Sequence, residues 1–223
     1  KPPTPKPPTP VPQEYKSPEI PQEDNVVYSK IALENKKEIK NEVGIILHFG
    51  LYSLTAYHDL NILKKSNGKK GSEWYYKRYI EDGKHRITVE KGYKETQDYH
   101  KKHYPGKTYF DLIEEFNSKT KTFNFESIFE KLDMKNITYI IFTAKHHDGF
   151  CLWPSKHAEY KSDRHFVEEF IGFAKRQKPE LKVGLYYSWC EHGKNITEEF
   201  VDKTIKKQIK ELMKYQILID YWW

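Results

Sequence analysis

The stretch YIIFTAKHHDGFCLW, from Tyr139 to Trp153, opens as an apolar run of strand type and ends in two histidines, an aspartate and a tryptophan. A near-continuous apolar run of this length reads as a strand buried on both faces, as in parallel sheets covered by helices. Its polar end asks for a reason: either the solvated tip of a core strand, or one wall of a site. Counted from Ile137 to Ala144, this strand has three companions: VGIILHFG (Val43–Gly50), LKVGLYYS (Leu181–Ser188) and ILIDYWW (Ile217–Trp223).

Helical patterns separate the strands. YFDLIEEF (Tyr109–Phe116) is one. NFESIFEKLDM (Asn124–Met134) puts Phe125, Ile128, Phe129 and Leu132 on one face, with Asn124 placed to cap. HFVEEFIGFAKRQ (His165–Gln177) spaces Phe166, Phe170 and Phe173 helically, after Asp163 as cap. TEEFVDKTIKKQIKELMKY (Thr197–Tyr215) carries Ile205, Ile209, Leu212 and Met213 on one stripe behind an acidic first turn. Alternating strands and helices give an α/β class with a parallel sheet. A complete eight-stranded barrel takes roughly 250 residues. Four strands therefore predict about four β/α units, the first half of a (β/α)8 TIM-like barrel. Such a half leaves the edge of its fourth strand unpaired, so the remainder of the barrel or a second chain is expected to cover it. The long insert Leu51–Thr108, rich in Tyr, His, Lys and Gly, reads as a lid or wall rather than a plain connection.

The amino-terminal KPPTPKPPTPVP (Lys1–Pro12) removes backbone donors and blocks helix. With the polar stretch after it, residues 1–25 are predicted to be a disordered proline-rich linker, and the folded domain to run from 26 to 223. A signal peptide is expected to have been removed or to lie outside this sequence. The net charge of +6 comes from lysines spread along the chain, with no basic block or nucleic-acid motif, so no nucleic-acid partner is expected. No apolar run reaches 18 residues, so no membrane-spanning helix is expected. Two cysteines, Cys151 and Cys190, allow at most one bridge; they follow neighbouring strands and either pair or stay free. Asn136 and Asn195 each begin Asn-Ile-Thr, a glycosylation pattern if the protein is secreted. The 17 Tyr, 12 Phe and 5 Trp supply a core and also suit a sugar cleft, where rings stack on apolar sugar faces.

Parallel α/β folds carry their sites at the carboxyl ends of the strands. There the sequence places His48, then Lys145, His146, His147 and Asp148, then Tyr186, Tyr187, Ser188, Trp189, Cys190, Glu191 and His192, and finally Asp220 to Trp223. Neighbouring side chains on a regular strand point to opposite faces, so His146 and His147 share a pocket only if the strand bends; Gly149 and the strand end allow that. Three consecutive residues His-His-Asp make a poor chelate, so no metal is expected there; no cofactor is expected either.

Read together, these blocks resemble the catalytic domain of the α-L-fucosidases of glycoside hydrolase family 29. ILHFGLYS, GSEWY (Gly71–Tyr75), YHKKHYPGKTYFDLIEEF, KHHDGFCLWPSK (Lys145–Lys156) and KVGLYYS follow the family's order from about Val43 to Trp223. The resemblance implies a retaining exo-glycosidase that releases terminal α-L-fucose from fucosylated glycans through a covalent glycosyl-enzyme, without a metal. By position it implies substrate contacts from His48, Glu73, Trp74, His146, His147, Tyr187 and Trp223, with Tyr186 the alternate to Tyr187 by face. After PSKHAEY the chain lacks a loop usual in the family, which trims one rim of the cleft. The family's nucleophile aligns two residues beyond Trp223, and Asp220 corresponds to the body of the strand. The chain is thus expected to hold sugar-binding wall but neither catalytic carboxylate, and to be inactive alone; the alternative is a catalytically dead fucose-binding or assembly module. Family habit and the two Asn-Ile-Thr patterns point to a secreted or lysosome-like protein.

Overall fold

A computed structural model of the protein describes residues 42–58, 71–82 and 92–223. The proline-rich segment, the expected domain start near Val26 and parts of the insert lie outside the described residues.

Four strands form one parallel sheet in the order β1-β2-β3-β4: β1 Gly44–Leu47, β2 Tyr139–Lys145, β3 Lys182–Tyr187 and β4 Tyr221–Trp222. Between them run α1 Tyr52–Thr55, α2 Tyr75–Tyr79, α3 Tyr93–His103, α4 Ile113–Lys119, α5 Glu126–Phe129 and α6 Phe166–Gln177. The last helix, α7, joins Glu198–Phe200, a π-helical turn Val201–Ile205 and Lys206–Leu212. Among the described residues, no helix is long and apolar enough to cross a membrane.

The sheet's outer face makes the core. Phe142 stacks on Phe170 of α6 at 4.6 Å between centroids and meets Phe125 edge-on at 5.5 Å. Phe166, Phe170, Val183 and Leu185 are fully buried with them. Each such side chain contributes about 1.5–3 kcal/mol by leaving water, so this aromatic layer fixes how α6 lies on β2. The inner face carries Tyr139, Ile141, Gly184 and Tyr221. A side chain at position 184 would meet Ile141 Cγ1 at 2.8 Å and Tyr221 Cβ at 3.0 Å, so only glycine lets these neighbours close over β3.

Three local expectations need correction. The fourth strand is shorter than Ile217–Trp223, because Met213–Leu218 winds into a 3-10 turn and Ile217 is exposed. The helix expected over Asn124–Met134 ends at Phe129. Asn124 does accept from the Ser127 N–H at 3.0 Å, but Asp133 draws the Lys135 N–H and the Asn136 amide into a competing turn. Helix α6 is capped by His165, whose Nδ1 accepts from the Glu168 N–H at 3.2 Å, not by Asp163, which instead accepts from Asn117 Nδ2. Both cysteines are free, Cys151 buried and Cys190 exposed.

Candidate active site

The carboxyl end of β2 decides what faces the cleft. Its pairing with β3 slips between Thr143 and Lys145. An extra residue in one strand bends it and re-aims the following side chains. Lys145 therefore comes opposite Tyr187 on the outer face. His146 and His147 then both reach the inner side, their rings 4.5 Å apart. Gly149 completes the turn with φ of +78°, and a side chain there would meet Glu191 Oε2 at 2.8 Å.

Around these two rings the structure gathers groups from distant parts of the chain. His48, just past β1, packs its ring edge-on to His146 at 5.4 Å. Tyr186 of β3 stacks on His146 at 5.4 Å and brings its hydroxyl 3.4 Å from His147 Nε2. Trp74, ahead of α2, reaches His147 at 5.9 Å and His192 at 5.6 Å. His147 Nδ1 bonds the Ser188 hydroxyl at 2.5 Å, and its carbonyl accepts from the His192 N–H at 2.7 Å. Tyr52 of α1 lies edge-on to His146 at 5.6 Å.

The imidazoles are held neutral. Burial pushes His146 down to about 3, with help from the neighbouring His147, His48 and His192. Burial likewise pushes His192 down to about 4. His147 and His48 are lowered mainly by burial as well; for His48, at the more open rim, the charge of Glu73 opposes the shift. Among the described residues, His146 Nδ1 and His192 Nε2 are buried without a hydrogen-bond partner. A neutral ring offers one donor and one acceptor, so the cluster is built to meet hydroxyl groups rather than charge. Among the described residues, no group of three His, Cys, Asp or Glu is arranged to hold a metal ion.

Of the residues expected at the site, His48, Trp74, His146 and His147 come together. Glu73 lies beside Trp74, its Oε1 accepting from the Gly71 N–H at 3.0 Å. Tyr187 does not join them. It is buried on the outer face, donating to Gln208 Oε1 at 2.6 Å, so the pleat gives the cleft to its alternate, Tyr186. Trp223 is 65% exposed and tied to β3 through its backbone, which donates to Leu185 O and accepts from the Tyr187 N–H, both at 2.9 Å.

His192 and Tyr52 were not among the expected contacts. His192 stood in the segment after the third strand, which was the available signal; Tyr52 had none beyond its place in ILHFGLYS. Asp148, between the histidines and Gly149, is enclosed. It accepts from the Tyr109 hydroxyl at 2.7 Å and the Phe150 N–H at 3.1 Å, and burial raises it to about 6. Asp220 Oδ2 accepts from the Val183 N–H at 2.8 Å and from Lys175. Both carboxylates serve the scaffold.

The comparisons with known proteins agree on one family. The family model described as Alpha-L-fucosidase matches residues 23–222. The alpha-L-fucosidase of Dictyostelium discoideum is 31% identical over 193 residues, covering 76% of this chain and 37% of its own. The plasma alpha-L-fucosidase of Rattus norvegicus is 28% identical over 172 residues, covering 74% and 32%. The chain thus spans about a third of the length of these curated relatives. Among solved structures, the Thermotoga maritima alpha-fucosidase matches with a TM-score of 0.63 at 23% identity, over 82% of this chain and 44% of that one, which shows the fold. The same enzyme in complex with fucose matches with a TM-score of 0.61 at 25% identity, over 81% and 43%. With the family model matching nearly the whole sequence, this chain belongs to the alpha-L-fucosidase family.

Proposed function

We propose that this chain forms one wall of the fucose pocket of a retaining exo-glycosidase that releases terminal α-L-fucose from glycans, on the first half of a (β/α)8 barrel. The observation that carries the reading is the cluster of neutral imidazoles, His48, His146 and His147, between Tyr186 and Trp74 at the ends of parallel strands. Fucose presents fixed hydroxyls and one methyl. Neutral donors and acceptors beside flat aromatic faces suit that surface. In this reading His48, His146 and His147 bond sugar hydroxyls, with Glu73 contributing from the insert. Trp74 walls the ring, Tyr186 takes the position first given to Tyr187, and Trp223 stands beside the sugar.

Retaining chemistry needs two carboxyl groups about 5 Å apart, one as nucleophile and one as acid/base. Asp148, Glu191 and Asp220 are engaged in the scaffold, and the family pattern aligns the nucleophile two residues beyond Trp223. In this reading these residues bind and orient the sugar and supply neither the nucleophile nor the acid/base. A secreted or lysosome-like setting fits relatives named plasma fucosidases and the exposure of both Asn136 and Asn195. A mobility shift on enzymatic deglycosylation of the native protein tests that part.

The main test is hydrolysis of an aryl α-L-fucoside, together with L-fucose binding, by the protein that carries this chain. Turnover with the α-anomer released first supports the reading. Fucose binding without turnover would make it a binding or assembly module instead. A protein that neither binds nor cleaves L-fucose derivatives refutes it.

A further inference from the structure

We infer that Lys145 and Glu191 are positioning residues: their buried ion pair sets the bulge in β2 and the loop after β3, so that His146, His147 and His192 stand on one wall. The effect on ligand rests on the proposed fucose pocket; the structural part does not.

The bulge leaves Lys145 pointing away from the cleft, where a lysine needs a partner. Its side chain is fully buried, and Nζ lies 2.9 Å from Glu191 Oε1, 3.2 Å from Gln208 Oε1 and 4.4 Å from the centre of the Tyr187 ring. Glu191 uses its other oxygen on Lys194 at 3.1 Å. Gln208 completes the set, accepting from Tyr187 and donating to the His157 carbonyl at 3.0 Å. One ammonium thus ties together β2, the loop after β3 and helix α7.

Sequence adjacency converts this anchor into site geometry. Lys145 immediately precedes His146, and Glu191 immediately precedes His192. The two segments are also joined by backbone bonds from the Ser188 N–H to Lys145 O at 3.0 Å and from the His192 N–H to His147 O at 2.7 Å. Gly149 lets Glu191 approach, since any side chain there would overlap its carboxylate. A buried ion pair is weak evidence for stability, because apolar residues of similar size often do as well. What it supplies is direction: apolar replacements fill the space without fixing which way the strand bends.

The test compares wild type, the Lys145→Met/Glu191→Met double variant and Glu191→Gln, in the protein that carries this chain. Histidine titration by NMR and L-fucose affinity are both read. In wild type, His146 and His192 are expected to stay neutral down to about 3 and about 4, as burial dictates. In the double variant they are expected to titrate nearer 6.5 while the protein still unfolds cooperatively, with L-fucose binding weakened about ten- to hundredfold, the scale of a small misplacement. Glu191→Gln, which keeps the shape, should move both readouts the same way by less. A folded double variant with unchanged histidine titration and unchanged affinity overturns the inference. If it does not fold, Glu191→Gln decides by the same criterion, and failure of both to fold also overturns it, leaving the pair purely structural. Wild type with low-titrating histidines but no fucose affinity would sink the fucose reading and leave the clamp standing.

Discussion

The two sides of the end of β2 treat buried polar groups in opposite ways. On the outer side Lys145, Glu191, Gln208 and Tyr187 satisfy one another. On the inner side, a few ångströms away, His146 Nδ1 and His192 Nε2 have no partner among the described residues. Buried polar groups are nearly always hydrogen-bonded, and leaving one unmatched costs about 1–3 kcal/mol. A protein that completes one network and leaves its neighbour open is set up to have a ligand complete the second. The outer side holds the fold; in the proposed function the inner side is the one that binds.

The sharpest way to break that contrast is to damage the satisfied side. Glu191→Ala leaves the Lys145 ammonium buried with no counter-charge, held by the Gln208 amide oxygen and the face of the Tyr187 ring. Removing one partner of a buried pair costs about 3–5 kcal/mol, as much as Phe142→Ala would cost in the aromatic core. Urea unfolding of both variants measures this. A loss below about 1 kcal/mol for Glu191→Ala would mean that water reaches Lys145 and that the outer network is not sealed.

The next effect is on pH, and here the signs oppose. The unfolded chain protonates His146 near 6.5 and the folded one only near 3, so stability falls as pH drops across that window. Its ceiling is about 4–5 kcal/mol. His192 acts in the same direction down to about 4. Asp148 works against them. Its folded value near 6 exceeds the ordinary 3.8, so acidification between these values favours the folded state by about 3 kcal/mol. The histidines win, and stability is expected to fall by about 2 kcal/mol or more between pH 6.5 and 4. Asp148→Asn removes the opposing contribution and should steepen the loss. Unfolding curves at several pH values check both; a stability that rises on acidification would contradict neutral, buried imidazoles.

His146→Leu separates the two sides in one substitution. It deletes the unpaired nitrogen, so stability should hold or rise by about 1 kcal/mol. If the proposed fucose contact holds, L-fucose affinity should meanwhile fall by about ten- to hundredfold, the scale of one lost hydrogen bond. Calorimetric binding and thermal unfolding on the same sample read both. A variant that loses stability while keeping affinity would reverse the assignment of sides.

How far the sequence could anticipate this follows the same division. The outer face was legible because periodicity reports burial: Phe166 and Phe170 at helical spacing are both buried against β2. The helix expected from Thr197 does begin there, the Thr197 hydroxyl accepting from the Phe200 N–H, a cap that was not among those expected. The last strand was overread because Ile217 and Leu218 are apolar but wound into the turn that ends α7. The convergence of strand ends was legible, yet the pairing slip between Thr143 and Lys145 was not. A bulge is a property of two strands in register, and no single strand's pattern contains it. That slip is why the rings of both adjacent histidines come together on one side of the sheet.

The adjacent tyrosines of β3 offer the finest test, because Tyr186 and Tyr187 differ only in the face the pleat gives them. Tyr187→Phe removes the bond to Gln208 on the satisfied side. It should cost about 0.5–1.5 kcal/mol of stability and leave L-fucose affinity unchanged. Tyr186→Phe removes a hydroxyl 3.4 Å from His147 on the open side. It should leave stability within about 0.5 kcal/mol of wild type and weaken fucose binding several-fold. Measured side by side, the two variants need no assumption about the rest of the fold: one hydroxyl is lost from each face of the same strand. If Tyr187→Phe is the one that loses affinity, the strand presents the opposite face to the sugar, and the bulge in β2 no longer explains how the histidines meet.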